Sequence, residues 1–457
     1  MAFVLFKQRT KTIEEQTKGG KHLHETEPPR KRAFLVGAEV FTAASPWGVE
    51  DSLQELALLA DTAGLEVVGQ LSQKLSTPSP KFFIRPGKVR EVAALREELK
   101  YDLLIFDDEL SPAQTRNLEK ELQTAVLDRT ALILDIFAQH ARTHEGRIQV
   151  ELAQYQYLLP RLRRQWTHLE RQAGQGGTSA GGVVGLRGPG ETQLELDRRN
   201  IDRRIAWLKE QLEAVHRHRE LYRQQRRESG LPVVALVGYT NAGKSTLLNA
   251  LTDATVHVAD QLFATLDPTT RQMTLPNGQQ VLLTDTVGFI QKLPTQLVAA
   301  FHATLEEINL ADLLLHVLDI THPNAQEQTQ TVDETLKKLG VEGKPMLTVL
   351  NKVDKMEPMN EATVGNLAAE LGMPKDYLAV SAQQGWGLEA LRARIEASLA
   401  NVMLLIEACI PYQKGNLVAL WHERGYIEEE QHEEEGTRIR GRLPRALLPQ
   451  FAPFLKQ

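Results

Sequence analysis

At 457 residues the chain is too long for one hydrophobic core, and two to four domains are expected. Its 42% hydrophobic and 25% charged residues are those of an ordinary soluble protein, and the single cysteine, Cys409, excludes an internal disulfide and a cysteine-based zinc site. No apolar run approaches the roughly eighteen residues of a membrane span, and Ala2 to Phe6 is too short for a signal-peptide core, so a cytoplasmic location is expected.

Residues 1–30 carry scattered Lys and Arg, but Glu14, Glu15, Glu25 and Glu27 argue against a transit peptide, and a disordered tail is expected. From 31 to 142, short apolar runs alternate with helical patterns. Ala33 to Gly37, Leu65 to Gly69, Asp102 to Phe106 and Thr124 to Leu127 read as buried strands; helices are predicted near 49–63, 87–100, 112–122 and 130–142. This rhythm predicts an N-terminal parallel α/β domain, an architecture that often holds nucleotides at the C-terminal ends of its strands. Pro86-Gly87-Lys88 invites comparison with a phosphate loop but lacks the first glycine and the preceding strand, which favours a helix start.

Residues 143–230 hold two amphipathic stripes. Leu152, Tyr155, Leu159, Leu162, Trp166 and Leu169 recur at steps of three and four, as do Ile201, Ile205, Leu208, Leu212 and Val215. Two such helices predict a long antiparallel helical hairpin, bent at Pro160, whose second helix, from about 191 to 227, extends roughly 50 Å. The connection, 172–190, holds eight glycines and ends on Arg187-Gly188-Pro189-Gly190. Between Arg161 and Arg227 stand fifteen Lys and Arg against eight Asp and Glu, a basic segment on a chain of net charge −6. A polyanionic partner is implied, and glycine-rich backbone with Arg171 and Arg187 at its roots suits irregular RNA; a plain connector is the alternative.

Residues 231–400 open on an apolar strand leading into Gly238-Tyr239-Thr240-Asn241-Ala242-Gly243-Lys244-Ser245-Thr246, a complete G-x-x-x-x-G-K-[ST] phosphate loop. Lys244 is placed to reach the β- and γ-phosphates and the Ser245 hydroxyl to ligate Mg²⁺. Downstream, Phe263-Ala264-Thr265 precedes a turn-rich stretch in which Thr265 can meet Mg²⁺ and the γ-phosphate. Asp285-Thr286-Val287-Gly288 follows a strand, with Asp285 on the Mg²⁺ shell and the Gly288 N–H sensing the γ-phosphate. Asn351-Lys352-Val353-Asp354 and Ser381-Ala382 each follow an apolar strand, and the Asp354 carboxylate can accept from N1–H and the N2 amino group of guanine, donors that adenine lacks there. Five elements in order predict a P-loop GTPase domain that binds GTP and GDP. Phe289 stands where Ras-like GTPases carry a water-orienting glutamine, so hydrolysis by the isolated protein is expected to be slow.

From 401 to 457, Ile410, Leu417 to Trp421, Tyr426-Ile427 and Thr437 to Arg442 suggest a small α+β C-terminal domain with two or three strands and a final helix from Arg445 to Leu455. The acidic run Glu428 to Glu435 reads as a solvated hairpin.

With Gly238 to Ser245, Phe263 to Pro268, Asp285 to Ile290, Arg187 to Thr192, Asp128-Arg129-Thr130 and Gln149 to Ala153, the chain resembles the HflX family of translational, Obg-HflX-like GTPases from about residue 31 to 400. His140 is a small departure, standing where arginine is common. The resemblance implies binding to the large ribosomal subunit, its RNA and its proteins, splitting of stalled or idle ribosomes under stress, and GTP hydrolysis stimulated there. It implies a monomeric factor with no DNA target, whose glycine-rich tip reaches the peptidyl-transferase region. Some relatives hydrolyse ATP through the N-terminal domain, which would involve Gly87 and Lys88. Asn241 matches the position at which similar glutamine-less GTPases hold K⁺; a simple turn residue is the other reading. An RNA-remodelling NTPase without ribosome dissociation and a module that merely sequesters large subunits are the competing functions.

Overall fold

The structure, a computed structural model, describes residues 30–41, 47–174, 189–252, 262–293, 307–341, 343–356, 361–373 and 376–455. The expected N-terminal tail and most of the glycine-rich tip lie outside them. The chain divides into two compact units, 1–212 with 292–300, and 213–291 with 301–457.

In the first unit, β1 (Arg32–Val40), α1 (Val49–Thr62), β2 (Glu66–Leu75), α2 (Pro86–Leu99), β3 (Leu103–Phe106), α3 (Pro112–Leu122), β4 (Ala125–Asp128) and α4 (Arg129–His140) follow in order. The strands form one parallel sheet, β2-β1-β3-β4. Ala33 to Gly37 of β1 and all of β3 are buried because these residues are apolar on both faces, as a sheet covered on both sides requires. β2 runs to Leu75, well past Gly69: as an edge strand it leaves Gln70, Gln73 and other polar side chains partly exposed, which hides its second half from a search for apolar runs. Pro86 opens α2 and Lys88 pairs with Glu91 at 2.8 Å, so Pro86-Gly87-Lys88 is a helix start.

Asp128-Arg129-Thr130 is a structural tie. The Asp128 carboxylate caps α4 through Ala131 N at 2.9 Å and accepts from Tyr157 Oη, Leu110 N and Arg161. Arg129, fully buried, forms ion pairs with Glu55 and Asp107, and Lys292 adds a second cation at Asp107 Oδ2. Burial alone would raise the Asp107 carboxyl, but Arg129 and Lys292 outweigh it and hold the group below its ordinary range.

The hairpin is formed by α5 (His144–Gly174), continuous through Pro160, and α6 (Pro189–Ser229). Ile148 and Leu152 pack on Leu208, with Tyr155, Ile205 and Leu212 beside them, and Arg204 makes a bidentate pair with Glu151 at 2.8 and 3.0 Å. Early α5 thus meets mid α6, the antiparallel pairing that the two stripes predict. The side chains of Leu162, Trp166 and Leu169 lie outside the described residues.

The second unit contains β5 (Val233–Val237), α7 (Lys244–Thr252), β6 (Thr269–Thr274), β7 (Gln280–Asp285), β8 (Leu313–Asp319), α8 (Ala325–Lys338), β9 (Met346–Asn351), α9 (Glu361–Glu370), β10 (Tyr377–Ala379) and α10 (Leu388–Val402). Its sheet has the order β10-β9-β8-β5-β7-β6, with only β6 antiparallel to its neighbour. The period of two along β5 divides its residues between two cores. Val234 and Leu236 pack with Leu247 and Leu248 of α7 and Leu391 and Ile395 of α10, while Ala235 and Val237 pack with Val332 and Leu336 of α8.

The C-terminal part consists of β11 (Leu404–Ile410), α11 (Gly415–Arg424), β12 (Tyr426–Glu433) and β13 (Gly436–Leu443), in an antiparallel sheet β11-β13-β12. Leu417 to Trp421 is helical: Leu417 and Trp421, four residues apart, turn one face inward, and Trp421 meets Phe451 edge-on at 5.2 Å. The acidic run is the exposed hairpin expected of it. Instead of one final helix, short turns flank α12 (Leu448–Phe451), because Pro449 and Pro453 deny the donors a longer helix needs.

Candidate nucleotide-binding site

β5 ends at the centre of its sheet, and the loop that follows curls over the strand ends, the position at which open α/β sheets bind ligands. Gly238 has φ +153°, and a Cβ there would lie 2.2 Å from the Val317 carbonyl oxygen. Gly243, at φ +93°, leaves room for the Asn351 amide, which a Cβ would meet at 2.3 Å. Both positions therefore demand glycine.

Lys244 opens α7 and is buried, its ammonium donating to the carbonyls of Tyr239 at 2.7 Å and Gly238 at 3.1 Å. Burial pulls its pKa down to about 8, against the opposing pull of Asp285. Ser245 Oγ lies 2.8 Å from Thr265 Oγ1 and donates to Asp285 Oδ2 at 2.6 Å; Thr265 Oγ1 donates to the same oxygen at 3.1 Å. Asp285 Oδ1 is buried and has no hydrogen-bond partner within bonding geometry among the described residues. Burial pushes this carboxyl upward, partly offset by Lys244. Three hard oxygen ligands drawn from distant parts of the sequence, with one buried carboxylate oxygen unmatched among the described residues, form a donor set that fits Mg²⁺. Gly288 crosses so close that a Cβ would stand 2.8 Å from Thr240 Cα and 3.1 Å from Lys244 Nζ.

On the base side, Asn351 Nδ2 donates to the Ala242 carbonyl at 2.9 Å and its Oδ1 accepts from Ala382 N at 3.0 Å. Lys352, in the left-handed region at φ +65°, donates to the Asn241 carbonyl and pairs with Asp319, both at 2.8 Å. One cavity gathers Thr240, Asn241, Gly243 to Thr246, Phe263 to Thr265, Gly288, Asn351, Lys352, Asp354 and Ala382. Gly238, Tyr239, Ala242 and Ser381 stand buried behind its wall, and Asp285 reaches it through Ser245 and Thr265. Thr286, Lys355 and Gln383 also line it, a place that their neighbours in the motifs could have suggested. Phe289 contributes no polar group: its side chain packs with Ala235, Val237, Ile308 and Leu314.

A largely parallel sheet whose inner strand feeds a phosphate loop, a converging Ser-Thr-Asp oxygen set and an Asn-Lys-x-Asp strand end define a P-loop GTPase. Family models match the chain as the GTP-binding GTPase N-terminal domain over residues 50–138, the GTP-binding GTPase middle region over 140–226 and the 50S ribosome-binding GTPase over 233–352. GTPase HflX of Caldanaerobacter subterraneus is 44% identical over 438 residues, 95% of this chain and 96% of that protein. GTPase HflX of Escherichia coli is 44% identical over 387 residues, 85% of this chain and 88% of its own length. A solved GTP-binding protein of Sulfolobus solfataricus in complex with GDP is 26% identical, over 81% of this chain and 99% of that one, with a TM-score of 0.42. The chain belongs to the HflX family of GTPases.

Proposed function

We propose that this GTPase binds the large ribosomal subunit in the cytoplasm and splits stalled or idle ribosomes under stress, its nucleotide state gating the hairpin. Convergence of Ser245, Thr265 and Asp285 beside the phosphate loop carries the nucleotide half of this reading. The family description "50S ribosome-binding GTPase" and the arginine-rich hairpin support the ribosomal half.

In this reading Lys244 exchanges its loop carbonyls for β- and γ-phosphate oxygens, and Gly288, held against Thr240, offers its N–H to the γ-phosphate. Ser245, Thr265 and Asp285 would hold Mg²⁺, which would supply neutralisation of phosphate charge. Asp354 selects guanine, with Lys352, Ser381 and Ala382 framing the base. Asn241 lines the cavity, and its side chain has no hydrogen bond among the described residues; we assign it to K⁺ beside the phosphates. Phe289 is committed to the core, so the group that orients the attacking water comes from elsewhere, and the large subunit is its source. The ATP-hydrolysing alternative draws on Gly87 and Lys88, which open a helix with Lys88 paired to Glu91, and no observation favours it.

The test is GTP turnover by the full chain with and without purified large subunits. Slow turnover alone and a rise of about a hundredfold or more with subunits is expected; equal turnover in both would remove the ribosomal role.

A further inference from the structure

The segment after Gly288 is fastened to the phosphate loop at several points. Phe289 N–H donates to the Gly238 carbonyl at 3.1 Å and Thr240 N–H to the Phe289 carbonyl at 2.8 Å, which makes a parallel bridge between Tyr239 and Phe289. Two residues further on, Gln291 N–H donates to Tyr239 Oη at 2.9 Å. Tyr239 is 2% exposed and Gln291 8%, so this bond is shielded from water, where a hydrogen bond is strongest and its loss costs most. The next residue, Lys292, has a left-handed backbone, φ +53°. The stretch from Gly288 to Gln291 is thus held at its near end by backbone bonds that any sequence could make, and at its far end by a phenol that this sequence supplies.

We propose that Tyr239 is a positioning residue: by holding the Gln291 amide, its hydroxyl fixes the Gly288 backbone against the phosphate loop and so sets how strongly the protein distinguishes a guanosine triphosphate from the diphosphate. This rests on the nucleotide-site reading above. The physical reason is preorganisation. With Gln291 tied, a γ-phosphate meets a Gly288 segment already in place; without the tie, part of its binding free energy goes to ordering that segment. A diphosphate makes no such demand. Its affinity therefore depends less on the hydroxyl than the triphosphate's does.

Tyr239→Phe keeps the buried ring and removes the hydroxyl, and with it the acceptor for the Gln291 N–H. Dissociation constants of the full chain for GDP and for a non-hydrolysable GTP analogue, both with Mg²⁺, are compared with those of the unaltered protein. The ratio of the two dissociation constants is expected to shift about tenfold against the analogue, the size of one shielded hydrogen bond. Simple loss of packing would lower both affinities together, so the ratio separates positioning from structure. An unchanged or increased preference for the analogue overturns the proposal. Amide hydrogen exchange in the unaltered, GDP-bound protein tests it without mutation: the Gln291 N–H is expected to be protected, and exchange at the rate of an open amide overturns it. If the unaltered chain binds neither nucleotide, the site reading falls and takes the proposal with it; if it binds both while Tyr239→Phe leaves the ratio unmoved, only the proposal falls.

Discussion

Asn351 Nδ2 lies 2.9 Å from the Ala242 carbonyl oxygen, and the same side chain accepts from Ala382 N at 3.0 Å, so one buried amide ties the phosphate loop to the base-side loop. Asn351→Ala leaves a buried N–H and a buried carbonyl without partners, at a cost of about 1–3 kcal/mol each. We predict a lower urea midpoint together with a GDP affinity reduced about a hundredfold, measured by denaturation and by calorimetry on the same preparation. Loss of affinity at unchanged stability would show that Asn351 acts on the base alone.

Asp354→Asn tests the choice of base. An amide presents one donor and one acceptor where the carboxylate accepts twice, so the guanine N2 amino group loses its partner while xanthine, with an oxygen there, gains one. GTP affinity is expected to fall at least about a hundredfold and XTP affinity to rise. Equal losses for both nucleotides would place Asp354 outside base recognition.

Much of this site was legible in the sequence because its chemistry is local: the phosphate loop, Asp285 to Gly288 and Asn351 to Asp354 each announce themselves within a few residues. The four strands and four helices of the first sheet were legible for the same reason, through their periodicity. Pairings that depend on long-range register were not. Tyr239 and Gln291 meet only because Phe289 bridges the loop, and no local pattern records that. Polar edges also conceal structure, as in the second half of β2. In α11, Leu417 and Trp421 share a helical face, yet the run between them is apolar enough to suggest a strand.

His316 gives the protein a pH signature. It is buried on β8, its Nε2 has no hydrogen-bond partner among the described residues, and burial together with Lys244 lowers its pKa to about 4. The unfolded chain takes up a proton as pH falls through about 6.5, but the folded chain does not until about 4. Stability is therefore full above about 6.5 and declines towards 4, by about 3 kcal/mol from this group. His316→Leu should flatten that part of the acid limb, measured as urea midpoints at several pH values. Parallel curves for the two proteins would contradict it.

The Asn241 assignment predicts an ion-specific rate. Hydrolysis in K⁺ should exceed that in Na⁺ at equal ionic strength, and Asn241→Ala should abolish the difference. Identical rates in both salts would leave Asn241 a turn residue, which its φ of +60° also suits.

Replacement of residues 172–190 by a short Gly-Ser turn leaves the Ile148, Leu152 and Leu208 contact and every nucleotide motif in place, so folding and GTP binding should survive. Sucrose-gradient sedimentation of intact ribosomes with GTP then isolates what the arm does. The account predicts that the full chain converts intact ribosomes into subunits and that the shortened one does not, although salt-sensitive docking through hairpin arginines persists. Dissociation by the shortened protein at the full chain's rate would contradict it.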